Sequence, residues 1–397
     1  MNLLVVTVDS LRFDHVSLTN PKIRTPEFDR IAQARLDFIP TCFSVSSATR
    51  PVHTSLFSGL YPFEHGIESQ RDGTIRSGTP RLLRLMEQAN YATGAFSEAP
   101  EIFAGLDLGV PIQRLEGTAH RGHDQLRNWL SGHHGQACCL FAHYWSAHAP
   151  YGAADGKAMG ETAELLRRGD LETVQQRYRA AVIELFEHKL APLLRRLDPF
   201  EWALVILGDH GESWTPEELY HGQTLRNSVL HVPLFVHLPR VNVLTPPPQI
   251  VSVADLFPTL ANLFELPAEY RGFAHSLSTP GSRNHYGLAE LKPLDPRDSD
   301  DEVGQRVNAN WSPAVGRKWA LFDERQKFTF DEGSATGELE ETFSETTLID
   351  QAASDRFLEA YERMRTTSEY AHRPLESSVP GSSALIDDRL RALGYLP

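Results

Sequence analysis

Cysteine is scarce in this chain: three residues in 397, at Cys42, Cys138 and Cys139. An odd count with an adjacent pair makes no disulfide framework, and no C-x-x-C pair offers a zinc site. The three are expected to be reduced and mostly buried. Long apolar runs are absent too: nothing approaches the about eighteen residues that would read as a membrane-spanning helix. No secretory leader is expected either, because Met1-Asn2 passes straight into Leu3-Leu4-Val5-Val6-Thr7-Val8, too short for a signal core and without its basic start. With the cysteine usage, this leads to the expectation of a cytoplasmic protein. Positive charge is in deficit, 38 Lys and Arg against 52 Asp and Glu, for a net charge of −14. Such a chain is a poor partner for a nucleic-acid polymer or an acidic membrane, though a local basic pocket could still hold a small anion. No internal repeat is visible. What remains, 41% hydrophobic and 23% charged residues, is the composition of an ordinary globular protein.

The apolar run at residues 3–8 reads as a strand buried on both faces, hence central in a parallel sheet. Residues 25–34 read as a helix with Thr25 as N-cap and Pro26 in its first turn. A second helix is expected from Thr49 through Ser58, and Leu82 to Ala89 carries helical spacing. Tyr91 to Phe96, Cys138 to Tyr144, Trp202 to Leu207, Val232 to Leu238 and Ile250 to Val253 read as strands, and 174–197 as a long amphipathic helix. Strands alternating with helices predict an α/β sandwich with a mostly parallel sheet. Composition shifts after about residue 280. A proline- and acid-rich stretch at 292–304 reads as a linker. Ala314 to Phe322 and Lys327 to Phe330 read as an antiparallel hairpin, followed by helices near 350–364 and 385–393. The expected division is a catalytic domain at 1–285 and a small C-terminal antiparallel α+β unit at 286–397.

Reactive side chains stand where strands end, the place where open parallel sheets bind ligands. Asp9 follows the first strand directly, Asp209-His210 follow Trp202 to Leu207 with only Gly208 between, and His143 and His148 lie at and just past the Cys138 strand. Carboxylates with an imidazole suit Zn²⁺, Mn²⁺, Mg²⁺ or Ca²⁺, and the imidazole shifts the balance toward zinc or manganese. Thr49, two residues before Pro51, is expected at a helix N-cap. There the helix dipole would favour an alkoxide and a bound anion. Arg50 and His53 could supply donors to the oxygens of an oxyacid group.

Several segments, in order along nearly the whole chain, resemble the sulfatase branch of the alkaline phosphatase superfamily. Leu4-Val5-Val6-Thr7-Val8-Asp9-Ser10-Leu11-Arg12 is similar to its opening strand and metal loop, and Thr25-Pro26-Glu27-Phe28-Asp29-Arg30 to its second signature. Thr49-Arg50-Pro51-Val52-His53 through His65-Gly66 resembles its nucleophile helix. His148-Ala149-Pro150-Tyr151, Gly208-Asp209-His210-Gly211-Glu212, His221-Gly222-Gln223 and His231-Val232-Pro233 fit its later segments, as do Asp255 to Leu260 and Leu393-Gly394-Tyr395. The resemblance implies an alkaline-phosphatase-like α/β sandwich. It also implies Asp9, Thr49, Asp209 and His210 as metal ligands, Thr49 as nucleophile, and His148 and His221 against the transferred group or the leaving oxygen. Arg50 and His53 would frame the anion. His65 would be structural, and Lys318 would stand where the family often places a basic residue near the substrate.

The departures are informative. Sulfatases oxidise a Cys or Ser at the nucleophile position to formylglycine, and the secondary alcohol of Thr49 cannot become that aldehyde. Ser10 replaces the usual second acidic metal residue and His53 the usual basic residue of the nucleophile helix. A missing carboxylate and an added imidazole disfavour Ca²⁺ and favour Mn²⁺ or Zn²⁺. No Asp-x-x-x-His pair for a second ion is found near His143 to Tyr151, so one divalent ion is expected. The implied activity is hydrolysis of phosphate mono- or diesters. Thr49 would attack phosphorus in line, His148 or His221 would protonate the leaving group, and water would cleave the phosphothreonine. The substrate would be a small anionic ester. The alternatives are transfer of a phosphoryl- or sulfuryl-type group to an alcohol, sulfatase-like activity without formylglycine among them, or an inactive binding protein of the same fold.

Overall fold

The computed structural model describes residues 1–116, 119–151, 159–198, 200–215, 218–239, 250–278, 286–292 and 316–376. Nearly all of the expected acid-rich linker, the helix at 385–393 and Leu393-Gly394-Tyr395 lie outside the described residues.

The apolar run becomes β1 (Asn2–Val8), the middle of a seven-stranded sheet. The helices α1 (Pro26–Arg35) and α2 (Thr49–Ser58) follow, with β2 (Asp37–Ile39) between them. Next come α3 (Leu82–Gln88), β3 (Ala92–Ser97), β4 (Ile112–Arg114) and β5 (Cys138–Tyr144). After α4 (Leu171–Glu184) come β6 (Trp202–Gly208) and β7 (Leu234–His237). The strand order is β2-β7-β6-β1-β5-β3-β4, with β7 antiparallel to both its neighbours and the other pairs parallel.

Alternation along β1 builds both layers. Leu3 and Val5 enter the core that includes Val52, Leu56 and Phe57 of α2. Leu4, Val6 and Val8 enter the core with Phe28 and Ile31 of α1 and Val174 and Val182 of α4. The long helix read at 174–197 begins earlier, where Asp170 accepts a hydrogen bond from the Thr173 N–H. It continues beyond α4 through a wider segment at Leu185–Leu190 to Ala191–Leu194. The break in its spacing comes from that segment, where the turn widens.

A second, antiparallel sheet forms from β8 (Gly287–Leu291), β9 (Lys318–Phe322), β10 (Gln326–Asp331) and β11 (Thr336–Glu341). Its covering helix is α5 (Gln351–Thr367), whose Tyr361 stacks on Trp319 with ring centroids 4.0 Å apart. The architecture is thus the expected α/β sandwich with a mostly parallel central sheet and a small C-terminal antiparallel sheet. The Glu290 N–H donates to Val45 O, and Glu290 Oε2 accepts from the Phe63 N–H, so β8 is tied to the segments flanking α2. No helix among the described residues is long and apolar enough to cross a membrane. All three cysteines are buried and free.

Candidate active site

Parallel pairing carries the ends of β1 and β6 to one edge of the sheet. Val8 is in register with Gly208, so Asp9 and Asp209 leave neighbouring strands side by side. Gly208 is required there by close approach: a Cβ on it would lie 2.5 Å from Leu11 O. One on Gly211 would lie 2.1 Å from Ser228 O. Ser10 adopts a left-handed conformation (φ 60°) and holds both carboxylates, its Oγ–H donating to Asp9 Oδ1 at 2.9 Å and its N–H to Asp209 Oδ1 at 3.1 Å.

Thr49 is the first residue inside α2, with Ala48 as N-cap, so the expected N-cap position is displaced by one residue. Its Oγ1 lies 3.3 Å from Asp9 Oδ2 and 3.3 Å from His210 Nε2. His210 Nε2 is in turn 3.7 Å from Asp209 Oδ2 and 3.9 Å from Asp9 Oδ1. All four residues are buried. Ligands spaced around a tetrahedral ion at 2.0–2.2 Å lie about 3.4 Å apart, so these separations suit a common divalent ion. Two further observations fit a cation. Among the described residues Asp209 Oδ2 is buried with no hydrogen-bond partner, an arrangement that is costly unless positive charge faces it. Burial and the charge of Asp9 push the Asp209 carboxyl well above the usual range. Burial also opposes ionisation of Asp9, but His148, His143 and His210 together hold its carboxyl well below that range.

The histidines share one pattern. His210 Nδ1 donates to Gly211 O at 2.9 Å, His148 Nδ1 to Ala149 O at 2.7 Å, and His221 Nδ1 faces Glu212 Oε1 at 3.0 Å. Each ring therefore carries its proton on Nδ1 and presents Nε2 as an acceptor. The rings of His148, His221 and His210 follow one another at centroid distances of 5.0 and 4.4 Å. Burial pushes His148 down to about 4 and His221 down to about 3, so both are neutral at pH 7. Glu212 is fixed further by Tyr151 OH, which donates to Oε2 at 3.0 Å and itself accepts from Trp214 Nε1 at 2.7 Å.

Three residues expected at the anion are placed otherwise. Arg50 is buried, its Nε and Nη1 donating to the carbonyls of Asp72, Ile102 and Ala104, while its Nη2 has no hydrogen-bond partner among the described residues. His53 donates from Nδ1 to Thr49 O and accepts from Thr7 Oγ1 at Nε2, both at 2.8 Å. Both ring nitrogens are thereby engaged, so His53 pins α2 to β1. For the same reason the nearby grouping of His53, His143 and Asp209 does not make a second cation site. Lys318 faces Asp331 across the β9–β10 pair, Nζ to Oδ2 3.4 Å.

The structure also brings Gln70 and Lys292 to a small cavity shared with Ala48, His221, Gly222, Gln223 and Leu291. Gln70 is 5% exposed, its Oε1 accepts from the Arg50 N–H at 3.1 Å, and its Nε2 has no partner among the described residues. An isolated glutamine carries no sequence signal, and Lys292 opens a stretch that reads as a linker. His143, one of the reactive side chains expected at a strand end, stands near the end of β5 beside Asp9. Its Nε2 lies 3.4 Å from Asp9 Oδ2.

Comparison with known proteins bears on the fold. Residues 1–109 match the Sulfatase family model. A search of curated proteins gives no match. Among solved structures, the chain is similar to a phosphonate monoester hydrolase of Agrobacterium radiobacter (TM-score 0.68, 16% identity, 92% of this chain and 95% of that one). It is also similar to the lipoteichoic acid synthase LtaP of Listeria monocytogenes (TM-score 0.60, 15% identity, 95% and 93%). A third is a protein in the alkaline phosphatase superfamily from Vibrio parahaemolyticus (TM-score 0.59, 15% identity, 94% and 88%). The resemblance drawn from the motifs is therefore shown on two grounds, a sulfatase-family match over residues 1–109 and an alkaline-phosphatase-superfamily fold over nearly the whole chain.

Proposed function

We propose that this protein hydrolyses phosphate mono- or diesters with Thr49 as covalent nucleophile and one divalent ion, manganese or zinc, held by Asp9, Thr49, Asp209 and His210. The observation that carries the reading is the Thr49 hydroxyl, buried at the start of α2 and 3.3 Å from both Asp9 Oδ2 and His210 Nε2. A bound divalent ion supplies positive charge to the oxygens of the ester and acidifies a neighbouring hydroxyl.

The chain's own residues account for the other roles. Asp9 Oδ2 is the acceptor for the Thr49 proton. The unpartnered Nε2 of Gln70 donates to an oxygen of the transferred group. Lys292 adds charge at the mouth of the same cavity. The Thr49 Oγ–phosphorus bond forms as the bond to the leaving oxygen breaks, and water then cleaves the phosphothreonine. His148 and His221, neutral with Nε2 as acceptor, serve this second half by taking a proton from the attacking water. This modifies the expectation that they begin as proton donors to the leaving group.

The test is a panel of chromogenic phosphate monoesters, diesters, phosphonates and sulfates with added Mn²⁺ or Zn²⁺. Mass spectrometry of the quenched enzyme should show phosphate on Thr49 during turnover of a diester or monoester. Thr49→Ala should abolish turnover while retaining the fold. Near-normal activity of Thr49→Ala overturns the reading. Products formed on an added alcohol would move the assignment to group transfer, and turnover confined to sulfates would move it to a sulfatase without formylglycine.

A further inference from the structure

The polar residues near the ends of three adjacent parallel strands form one row. Thr7 of β1 is in register with His143 of β5, and His143 with Ser97 of β3. In-register residues of a sheet point to the same face, and all three are fully buried. His143 is locked in orientation, with Phe103 edge-on at 5.1 Å on one side and His53 at 5.2 Å on the other.

Hydrogen-bond bookkeeping then fixes its tautomer. Ser97 Oγ accepts from the Ala99 N–H at 3.0 Å and lies 2.7 Å from His143 Nδ1. Among the described residues no other acceptor is offered to the Ser97 hydroxyl proton. If His143 carried its proton on Nδ1, Ser97 Oγ would face two donors and its own proton would be buried without a partner, at the cost of its desolvation. With the Ser97 hydroxyl donating to Nδ1 instead, both Ser97 Oγ and Nδ1 are satisfied and the ring proton sits on Nε2. That nitrogen has no hydrogen-bond partner among the described residues and lies 3.4 Å from Asp9 Oδ2. This is the reverse of the tautomer in His148, His210 and His221. A neutral imidazole with a protonated Nε2 cannot ligate a cation through that atom, but it can hold a carboxylate in place.

We infer that His143 is a positioning residue, its proton set on Nε2 by Ser97 and aimed at Asp9 Oδ2, so that a Ser97–His143–Asp9 relay orients the carboxylate that receives the Thr49 proton and faces the cation. The inference rests on the metal reading above for its consequence and on the hydrogen-bond pattern alone for its existence. Asp9 is then held from two sides, by Ser10 Oγ on Oδ1 and by His143 on Oδ2. The Ser97 and His143 side chains lie on the α2 side of the sheet, in register with Thr7, and the His143 contact that reaches the proton acceptor of Thr49 is the one to Asp9.

The test uses the full chain with ¹⁵N-labelled histidine, first stripped of metal and then loaded with Mn²⁺ or Zn²⁺. Two-bond proton–nitrogen spectra of the metal-free and zinc-loaded protein should show His143, assigned by the signals lost in His143→Gln, protonated at Nε2. A proton on Nδ1 overturns the relay. Electron spin-echo spectra of the manganese form should give the same number of coordinated nitrogens in wild type and His143→Gln. A fall by one would make His143 a ligand and overturn the inference. Ser97→Ala should weaken Mn²⁺ binding about tenfold by titration calorimetry, with kcat lowered more than KM is raised. Affinity within twofold of wild type refutes the relay's role. If the wild-type protein binds neither ion, the metal reading fails by itself, while the tautomer measured in the metal-free chain still decides the relay.

Discussion

Gln70 offers the sharpest perturbation of the proposed site, because its two amide atoms do different jobs. Oε1 accepts from the N–H of Arg50, the residue after Thr49, and Nε2 has no partner among the described residues, while Gln70 lines the cavity that His221 and Lys292 also line. Gln70→Ala removes both functions. Loss of one oxyanion donor costs about 10²–10³ in kcat, or about 2.7–4 kcal/mol. The buried Arg50 N–H, left unpaired, costs about 1–3 kcal/mol of stability as well. Gln70→Glu separates the two effects. A carboxylate keeps the acceptor for the Arg50 N–H, but it sets a negative charge against an anionic ester. At 4 Å and an effective dielectric constant of 20, that repulsion is about 4 kcal/mol, or about three decades in kcat/KM. The expected ordering is therefore activity lost in both variants, more severely in the glutamate, with Tm lowered in both, in the alanine by the unpaired Arg50 N–H and in the glutamate by the buried charge. The assay is steady-state hydrolysis of the best aryl ester in the panel with Mn²⁺, read beside thermal unfolding. Gln70→Glu within threefold of wild-type kcat/KM would refute the assignment of Nε2 to the anion.

Three further outcomes follow from the same geometry. Asp209→Asn should abolish tight metal binding yet raise the Tm of the chelated protein, because Oδ1 can keep its two backbone donors while the charge facing Asp9 is lost. Relief of one buried like-charge contact is worth about 1–3 kcal/mol, and a chelated variant less stable than chelated wild type contradicts this. Since His148 and His221 begin as acceptors, the leaving oxygen departs with little proton assistance. The rate should then fall steeply as leaving-group pKa rises across substituted phenyl esters, and a flat dependence argues for a ready general acid. Glu64 is buried, accepts from the Tyr61 N–H and Ser368 Oγ, and is pushed by burial up to about 7. Its folded pKa is raised, so between about pH 4.5 and 7 the native state holds a proton that the unfolded chain has released, and stability falls as pH rises through that window by at most about 3 kcal/mol. Glu64→Gln should flatten this slope in urea unfolding at pH 5 and pH 8, and an unchanged slope refutes the assignment.

How far the site could be read from residues alone depends on whether each contact is local. Asp9 and Asp209-His210 were legible because each directly follows an apolar strand, and parallel pairing then brings such ends together. Thr49 was legible from Pro51 behind it, with an error of one residue in the cap, since Ala48 supplies the extended conformation that precedes the first turn. The contacts that Arg50 and His53 make were not legible, for one reason. Their proximity to Thr49 in sequence says nothing of which side of α2 they occupy, and that side was settled by distant carbonyls at Ile102 and Ala104 and by Thr7. Lys318 went astray because a basic residue in an antiparallel hairpin can be neutralised across it, as Asp331 does. Gln70 and Lys292 arrive at the cavity through a loop and a second sheet that no periodicity links to α2.

His143 shows the deeper limit. Its position at the end of a strand marked it as reactive, but its role hangs on the register of three strands far apart in the chain. A shift of one residue in either pairing would turn Ser97 or Thr7 to the opposite face and leave the imidazole without its proton donor or its neighbour. The same ring would then have to choose its tautomer on other grounds, with Nε2 open to a cation as readily as to a carboxylate. Four histidines near one pair of aspartates are therefore not equivalent ligands in waiting. Three present an acceptor nitrogen because carbonyls or a carboxylate hold their Nδ1 protons, and the fourth presents a proton because a serine hydroxyl has no other acceptor. On this argument, exchanging the partner rather than the histidine should convert one kind into the other. Ser97→Asp, placing a carboxylate opposite Nδ1, should draw the ring proton there, free Nε2 as a ligand and raise the number of manganese-coordinated nitrogens by one. An unchanged count with the proton moved would show that distance, not tautomer, keeps His143 out of the coordination sphere.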